Sequence, residues 1–216
     1  IIDLKEKSRG GIVMKSTVDK LVVNLEKRKI KAKYFETVED AKKEILRELH
    51  DYTEIGIGGS KTVKDMGIHD DLKGAGKNIH WHWLAKPEEQ EETRRKALNS
   101  EVYLSGTNAI TEDGELVNID GIGNRVSGMY YGPKKAIVIC GTNKICSDII
   151  SACDRIKTKA CPPNAKRLGL KTPCAITGVC NDCKSEDRMC NVTVIISHKP
   201  MLTDLSVYII DEDLGF

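Results

Sequence analysis

Lys135-Ala136-Ile137-Val138-Ile139-Cys140 runs straight into Gly141-Thr142-Asn143-Lys144. The first six residues carry the strongest buried-strand signal in the chain, a short apolar, β-branched run stopped by a glycine. A polar glycine turn leaves its end, and the pattern predicts a helix over Ile145–Arg155. The same order occurs twice upstream. Glu54-Ile55-Gly56-Ile57 leads into Gly58-Gly59-Ser60-Lys61-Thr62 and a helix capped by Ser60 or Thr62. Val102-Tyr103-Leu104 leads into Ser105-Gly106-Thr107-Asn108. Strands that alternate with helices predict an α/β fold with a mostly parallel sheet. In such sheets ligands gather beyond the carboxyl ends of the strands.

The three turns share a chemistry. Glycine lets backbone N–H groups approach a ligand, and a helix start presents free N–H groups to an anion. Gly58, Gly59, Ser60, Lys61, Thr62, Gly106, Thr107, Asn108, Gly141, Thr142 and Asn143 are therefore candidate ligand-binding residues. The first turn is neither a dinucleotide fingerprint, since Lys61 stands where a third glycine belongs, nor a Walker loop, whose glycine spacing differs. A plain strand-to-helix turn is the competing reading. The stretch after Asn108 predicts a polar hairpin that turns at Asp113-Gly114 and again at Asp120-Gly121. It sets Glu115 and Asp120 as candidate bases or nucleophiles. Asn124 and Arg125 are candidate anion ligands beside them. A decorated surface hairpin, with Lys61 and Arg125 as ordinary surface charges, is the alternative.

Working outward, Val18, Leu21, Val22 and Leu25 predict an amphipathic helix over Thr17–Ile30. Lys31–Phe35 reads as a strand. Thr37 caps a second helix that buries Val38, Ala41, Ile45 and Leu49. Ile79–Trp83 alternates, which puts His80 and His82 on one face of a strand. Such a pair can bind metal, but a strand face opposite packed tryptophans is the commoner arrangement. Pro87 opens a charged helix through Leu98. Val192–Ser197 and Ser206–Ile210 read as closing strands.

Composition sets the outer limits. With 40% apolar residues but only two Phe and two Trp in 216 residues, the core is aliphatic. Lys plus Arg is 34 and Asp plus Glu is 32, a balance of 34 − 32 = +2 that gives no electrostatic case for a nucleic-acid partner. No apolar run reaches the roughly 20 residues that span a bilayer. No secretory-signal pattern opens the chain. These features lead us to expect a cytoplasmic domain over 14–216, with residues 1–13 a lead-in or expression remnant. An oligomer is compatible with the sequence.

The eight cysteines fall unevenly. Cys140, Cys146 and Cys153 suit small buried positions. Cys161-Pro162-Pro163 is expected to break the helical pattern. Cys174-x5-Cys180-x2-Cys183-x6-Cys190 then puts four thiols within seventeen residues of a polar segment. Thiolates so close suit an iron–sulfur cluster or, alternatively, a structural zinc ion, with Cys161 as a substitute ligand. Disulfides or free thiols remain open.

Taken together, Gly58–Thr62, Ser105–Thr111 with Gly114–Asn118, Asp120–Arg125 and Cys174–Cys190 resemble the lactate-utilisation (LUD) domain family, in its branch with a cysteine-rich segment. The resemblance implies a three-layer α/β/α fold like that of ribose-5-phosphate isomerases and CoA-transferases, with a cysteine-rich insertion at about 161–190. It implies a small anionic metabolite at the glycine turns, a link to lactate-type organic-acid metabolism, and iron–sulfur partner subunits. The acid and lysine motifs of the isomerases do not map onto this chain. Three functions stay open: a redox-associated binding protein, an isomerase- or transferase-type enzyme using Glu115 or Asp120, and a non-catalytic assembly subunit.

Overall fold

The computed structural model describes the backbone from Ile2 and side chains from Lys15 onward. The lead-in expected over residues 1–13 lies outside the described side chains. The first helix, α1 (Ile2–Lys27), buries Val18, Leu21 and Leu25 as their spacing predicts. It ends before the expected Ile30, because Lys29 adopts a left-handed backbone at φ 61°. Next come β1 (Lys31–Phe35) and α2 (Val38–Glu48), whose cap, Thr37, accepts a hydrogen bond from the Asp40 N–H. β2 (Glu54–Ile57) leads into α3 (Lys61–Met66), α4 (Ile68–Gly74) and β3 (Asn78–Trp81). One tight turn at Pro87–Glu89 opens α5 (Gln90–Leu98).

The second half holds β4 (Val102–Gly106), β5 (Ala109–Thr111), β6 (Leu116–Asp120), α6 (Asn124–Tyr130) and β7 (Lys135–Gly141). These are followed by β8 (Ile145–Cys146), α7 (Ile149–Arg155), α8 (Cys161–Arg167), α9 (Pro173–Thr177), β9 (Val192–Ile196) and β10 (Asp204–Ile210). No described helix is long and apolar enough to cross a membrane.

Six strands form a parallel sheet in the order β1-β10-β7-β4-β2-β3. The result is a mixed α/β fold with helices on both faces, as the alternation of elements predicts. The alternating side chains of β7 show why both faces need cover. Ile137 and Ile139 join a core with Ala41, Ile45, Val63 and Leu72 from α2, α3 and α4. Ala136, Val138 and Cys140 point the other way, to Leu21 and Leu25 of α1 and to Ile110 and Leu116 of the second sheet. That second sheet, β8-β5-β6-β9, is the part the sequence did not announce.

Several expectations are corrected here. The turn at Asp113-Gly114 does join β5 to β6 as an antiparallel hairpin. It is no surface decoration, because β5 is fully buried and β6 is buried over Leu116–Asn118. The turn at Asp120-Gly121 makes no second hairpin: it leads into α6. The helix expected over Ile145–Arg155 starts only at Ile149. Ile145 pairs with Ile110 in the sheet, and Asp148 and Ser151 form a capping box that sets the later start. Pro162 does not break the chain into loop. It sits in the first turn of α8, directly behind a π-helical turn at Ile156–Ala160. The strand expected over Ile79–Trp83 stops at Trp81, so His80 and His82 do not share a strand face.

At the amino end of the sheet a charged cluster ties α2 to β7 and β10. The Lys135 ammonium is buried and lies 2.7 Å from Glu48 and 3.1 Å from Asp204. Burial alone would raise the Glu48 carboxyl, but hydrogen bonds from Lys135, Lys33 and the Tyr208 hydroxyl outweigh it and hold the group down to about 2.

β2 meets α5 at Gly56, where the Ala97 backbone leaves no room for a Cβ. Gly56→Ala is therefore expected to lower the unfolding free energy by about 3 kcal/mol, at the upper end of overpacking costs. Urea denaturation checks this, and an unchanged midpoint would show that α5 moves aside freely.

Candidate functional site: a cationic cleft at the sheet's carboxyl end

The strand order fixes where a cleft must open. From β2 the chain moves to β3 on one side, whereas from β4 it moves to β7 on the other. Loops leaving β2 and β4 thus diverge, and a crevice forms between their carboxyl ends. A cavity of about 670 Å³ lies there. Gly59, Ser60, Lys61 and Thr62 after β2 line it, with Gly106, Thr107 and Asn108 at the end of β4, and with Asp120, Asn124 and Arg125. These predicted residues come from separate stretches of chain and meet at one place.

Others lie elsewhere. Gly58 sits behind the wall, where a Cβ would crowd the Tyr103 hydroxyl and the Arg125 side chain. Gly141, Thr142 and Asn143 do not line the cleft, because the segment 211–215 covers them. Gly141 lies against the Glu212 carbonyl, the Thr142 hydroxyl donates to Asp211 (3.3 Å), and the Leu214 N–H donates to Asn143 Oδ1 (3.4 Å). Glu115 is also outside. Its carboxylate accepts from Arg28, just past the end of α1, and from the Thr111 hydroxyl. Those bonds pin the hairpin to α1 and leave Glu115 remote from any ligand in the cleft.

Arg125 is inside but occupied. Its Nη1 donates to the Gly106 carbonyl (3.1 Å) and Asn118 Oδ1 (2.6 Å). Its Nη2 donates to Asn108 Oδ1 (2.9 Å) and the Ile119 carbonyl (3.1 Å). Asp120 stands 3.6 Å from Nε and also accepts from the Val126 and Gly121 N–H groups. Arg125 thus braces the cleft wall, and Asp120 caps α6 from below. Ser60 is similarly spent: its Oγ accepts from the Val63 N–H at the start of α3. Lys61 pairs with Asp65 at 2.5 Å and lies over the Phe216 ring.

The cleft's other cations escaped the sequence reading. Lys64, Arg94, Lys144, Arg167 and Arg188 join Lys61 and Arg125, seven cations against the carboxylates of Asp120 and Asp187. Arg94 keeps a buried Nε with no hydrogen-bond partner. Arg167 stacks over Trp83 with its guanidinium carbon 4.6 Å from the ring centre. His82 is buried in the same wall, its Nδ1 unpartnered. Burial, aided by Arg94, pushes its pKa down to about 4 despite the opposing Asp120 charge, so the ring is neutral at pH 7. Lys144 follows directly on the Gly-Thr-Asn turn, a position that could have flagged it. Arg94 and Arg167 lie in charged helical stretches and carry no comparable sequence signal.

The cysteines form a second, smaller cavity of about 150 Å³, lined by Cys174, Cys180, Cys183 and Cys190. All eight thiols are free. Cys190 Sγ lies 3.4 Å from Cys161 Sγ, which lines the main cleft. The two thiols are within hydrogen-bonding distance. This raises the Cys161 thiol, which burial raises further, and lowers Cys190, which Arg188 lowers further against the effect of burial. Among the described residues no three His, Cys, Asp or Glu side chains meet at metal-binding distance. Ile119, Arg188 and Met189 line both cavities, so the two spaces share a wall.

A profile of the LUD domain matches residues 18–210. No curated protein matches the chain. Among solved structures, a DUF162 family protein from Deinococcus radiodurans is similar, with a TM-score of 0.55 over 91% of this chain and 98% of that one. At 9% identity that likeness speaks to the fold alone.

The four bonds of Arg125 make it the structural test of the site. Arg125→Met leaves buried acceptors unpaired and is expected to cost about 3 kcal/mol in urea denaturation. Arg125→Lys should recover little of this, since an ammonium cannot serve a planar fork of acceptors. Full recovery by lysine would refute the brace.

Proposed function

The chain belongs to the LUD domain family, and from that premise we propose that it binds a small anionic metabolite of the lactate-type organic-acid class in the cleft. The observation that carries this reading is the excess of basic side chains in the walls, seven against two carboxylates, at the divergence of the β2 and β4 loops. An anion entering such a space exchanges water for fixed donors. The unpartnered Arg94 Nε is one donor in want of an acceptor. Trp83 and Phe216 add apolar surface that a hydrated inorganic ion would not use. Asn108 and Asn124 supply amides for a hydroxyl or carbonyl group on the ligand. Asp120 and Asp187 are the carboxylates that line the cleft, whereas the placement of Glu115 lends no support to a transferase role.

We further propose that Cys174, Cys180, Cys183 and Cys190, which line one small cavity without any three of them standing at metal-binding distance, close on a metal centre, with Cys161 beside Cys190. Four thiols around one small space, with Arg188 and Lys157 in its lining, suit a soft thiophilic metal. We read the group as an iron–sulfur cluster, with zinc the alternative. When bound, a cluster would supply one-electron chemistry next to the anion cleft, and iron–sulfur subunits would be natural partners. Such a centre, with eight unpaired thiols, suits a reducing compartment such as the cytoplasm.

Titration calorimetry with lactate, pyruvate, ribose 5-phosphate and CoA tests the first reading. At least one organic acid is expected to bind, and Arg94→Met to weaken it about tenfold, roughly the worth of one charge-assisted hydrogen bond. Silence from the whole panel would refute the anion site.

Metal and sulfide analysis after anaerobic purification tests the second. Iron with matching sulfide supports the cluster. Zinc restricts the site to structure, and protein free of both metals would overturn the metal reading.

A further inference from the structure

Two lysines are buried among the described residues, and they are treated in opposite ways. Lys135 sits between the carboxylates of Glu48 and Asp204. Lys144, with 4% of its surface exposed, has no carboxylate partner among the described residues. Its Nζ lies 2.8 Å from the Thr62 hydroxyl and 3.1 Å from the Thr107 carbonyl, both neutral. It stands just past the carboxyl end of β7 and lines the cleft. A buried ammonium without a counter-ion is costly, and a structural lysine would be expected to carry one. The neutral partners suit an amine.

We propose that Lys144 is a covalent site, its ε-amine condensing with the carbonyl carbon of a small anionic aldehyde or ketone, of which a 2-oxo acid is the simplest. The proposal rests on the anionic-ligand reading of the same cleft and names the chemical class of that ligand. The amine lone pair attacks the carbonyl carbon. The carbonyl oxygen takes up protons and leaves as water, and a protonated imine remains on Nζ. The Thr62 hydroxyl can both accept from the amine and return a proton during this exchange. The Thr107 carbonyl holds one N–H and so orients the lone pair. Cations elsewhere on the wall, Arg94 and Lys64 among them, meet the ligand's anionic group.

The surroundings agree with this use. Burial pushes the Lys144 ammonium down to about 7, the nearby Arg155 and Arg125 guanidinium groups pushing the same way against Cys140 and Asp65. A lysine held this way is a nucleophile at neutral pH.

The test is reductive trapping. The full chain is incubated at pH 7 with pyruvate and sodium borohydride, and the adduct is mapped by peptide mass spectrometry. Lactate, which has no carbonyl, is the control ligand. Reduced adduct is expected on the peptide carrying Lys144, at least about tenfold above any surface lysine, whose amine is almost wholly protonated at this pH. Lys144→Met should abolish it. If that variant fails to fold, Thr62→Val, which removes only the hydroxyl, is expected to slow trapping in a folded protein. Pyruvate binding without adduct at Lys144 would overturn the covalent proposal and leave the anion site standing. Adduct spread evenly over the lysines would also overturn it. No adduct, together with no binding of any anion tested, would remove both.

Discussion

A single guanidinium organises the site end of this molecule. Arg125, at the start of α6, reaches back to the end of β4 through Gly106, to the loop before β5 through Asn108, and to β6 through Asn118 and Ile119. The two asparagines are cross-linked as well. The Asn108 N–H donates to Asn118 Oδ1, and the Ile119 N–H donates to Asn108 Oδ1. Each acceptor is thereby satisfied inside the protein, where an unpaired one would be expensive. A planar fork of donors does this in one step. The wall of the cleft is consequently stiff, with Thr107 and Asn108 held in place by bonds inside the protein.

That stiffness has a topological origin. The small sheet β8-β5-β6-β9 grows from the carboxyl end of the large one and packs over its α1 face, through Ile110, Leu116 and Ile196. Its outer face, Ala109 and Val117, covers Ala152, Ile156, Ala160 and Cys161. The cysteine segment is therefore seated on the same hairpin that Arg125 braces. Ile119, Arg188 and Met189 each face both cavities.

The sheet and most of its helices were legible from local pattern. β7 and β10 are short apolar runs, α2 has its cap and its four apolar positions, and Gly58–Thr62 and Gly106–Asn108 stand at strand ends where the alternation of elements puts them. The misreadings have different causes. β8 is two residues long and exists because Ile110, distant in sequence, is there to pair with Ile145, so no window along the chain could reveal it. α8 carries Pro162 and Pro163 directly behind a π-helical turn at Ile156–Ala160, a local geometry that proline content alone does not signal.

The sequence by itself determined the class of fold, the family, the glycine turns after β2 and β4, and the clustering of thiols late in the chain. It could do so because each rests on neighbouring residues: a period, a cap, a turn type, a spacing. Only the tertiary structure decided what each polar group is for. It spent Glu115 on Arg28 and Arg125 on four oxygens, closed the third glycine turn beneath residues 211–215, and set Lys144 in the cleft with no carboxylate beside it. These outcomes depend on which charges and carbonyls meet after the strands have crossed over, and on how much water is excluded when they do.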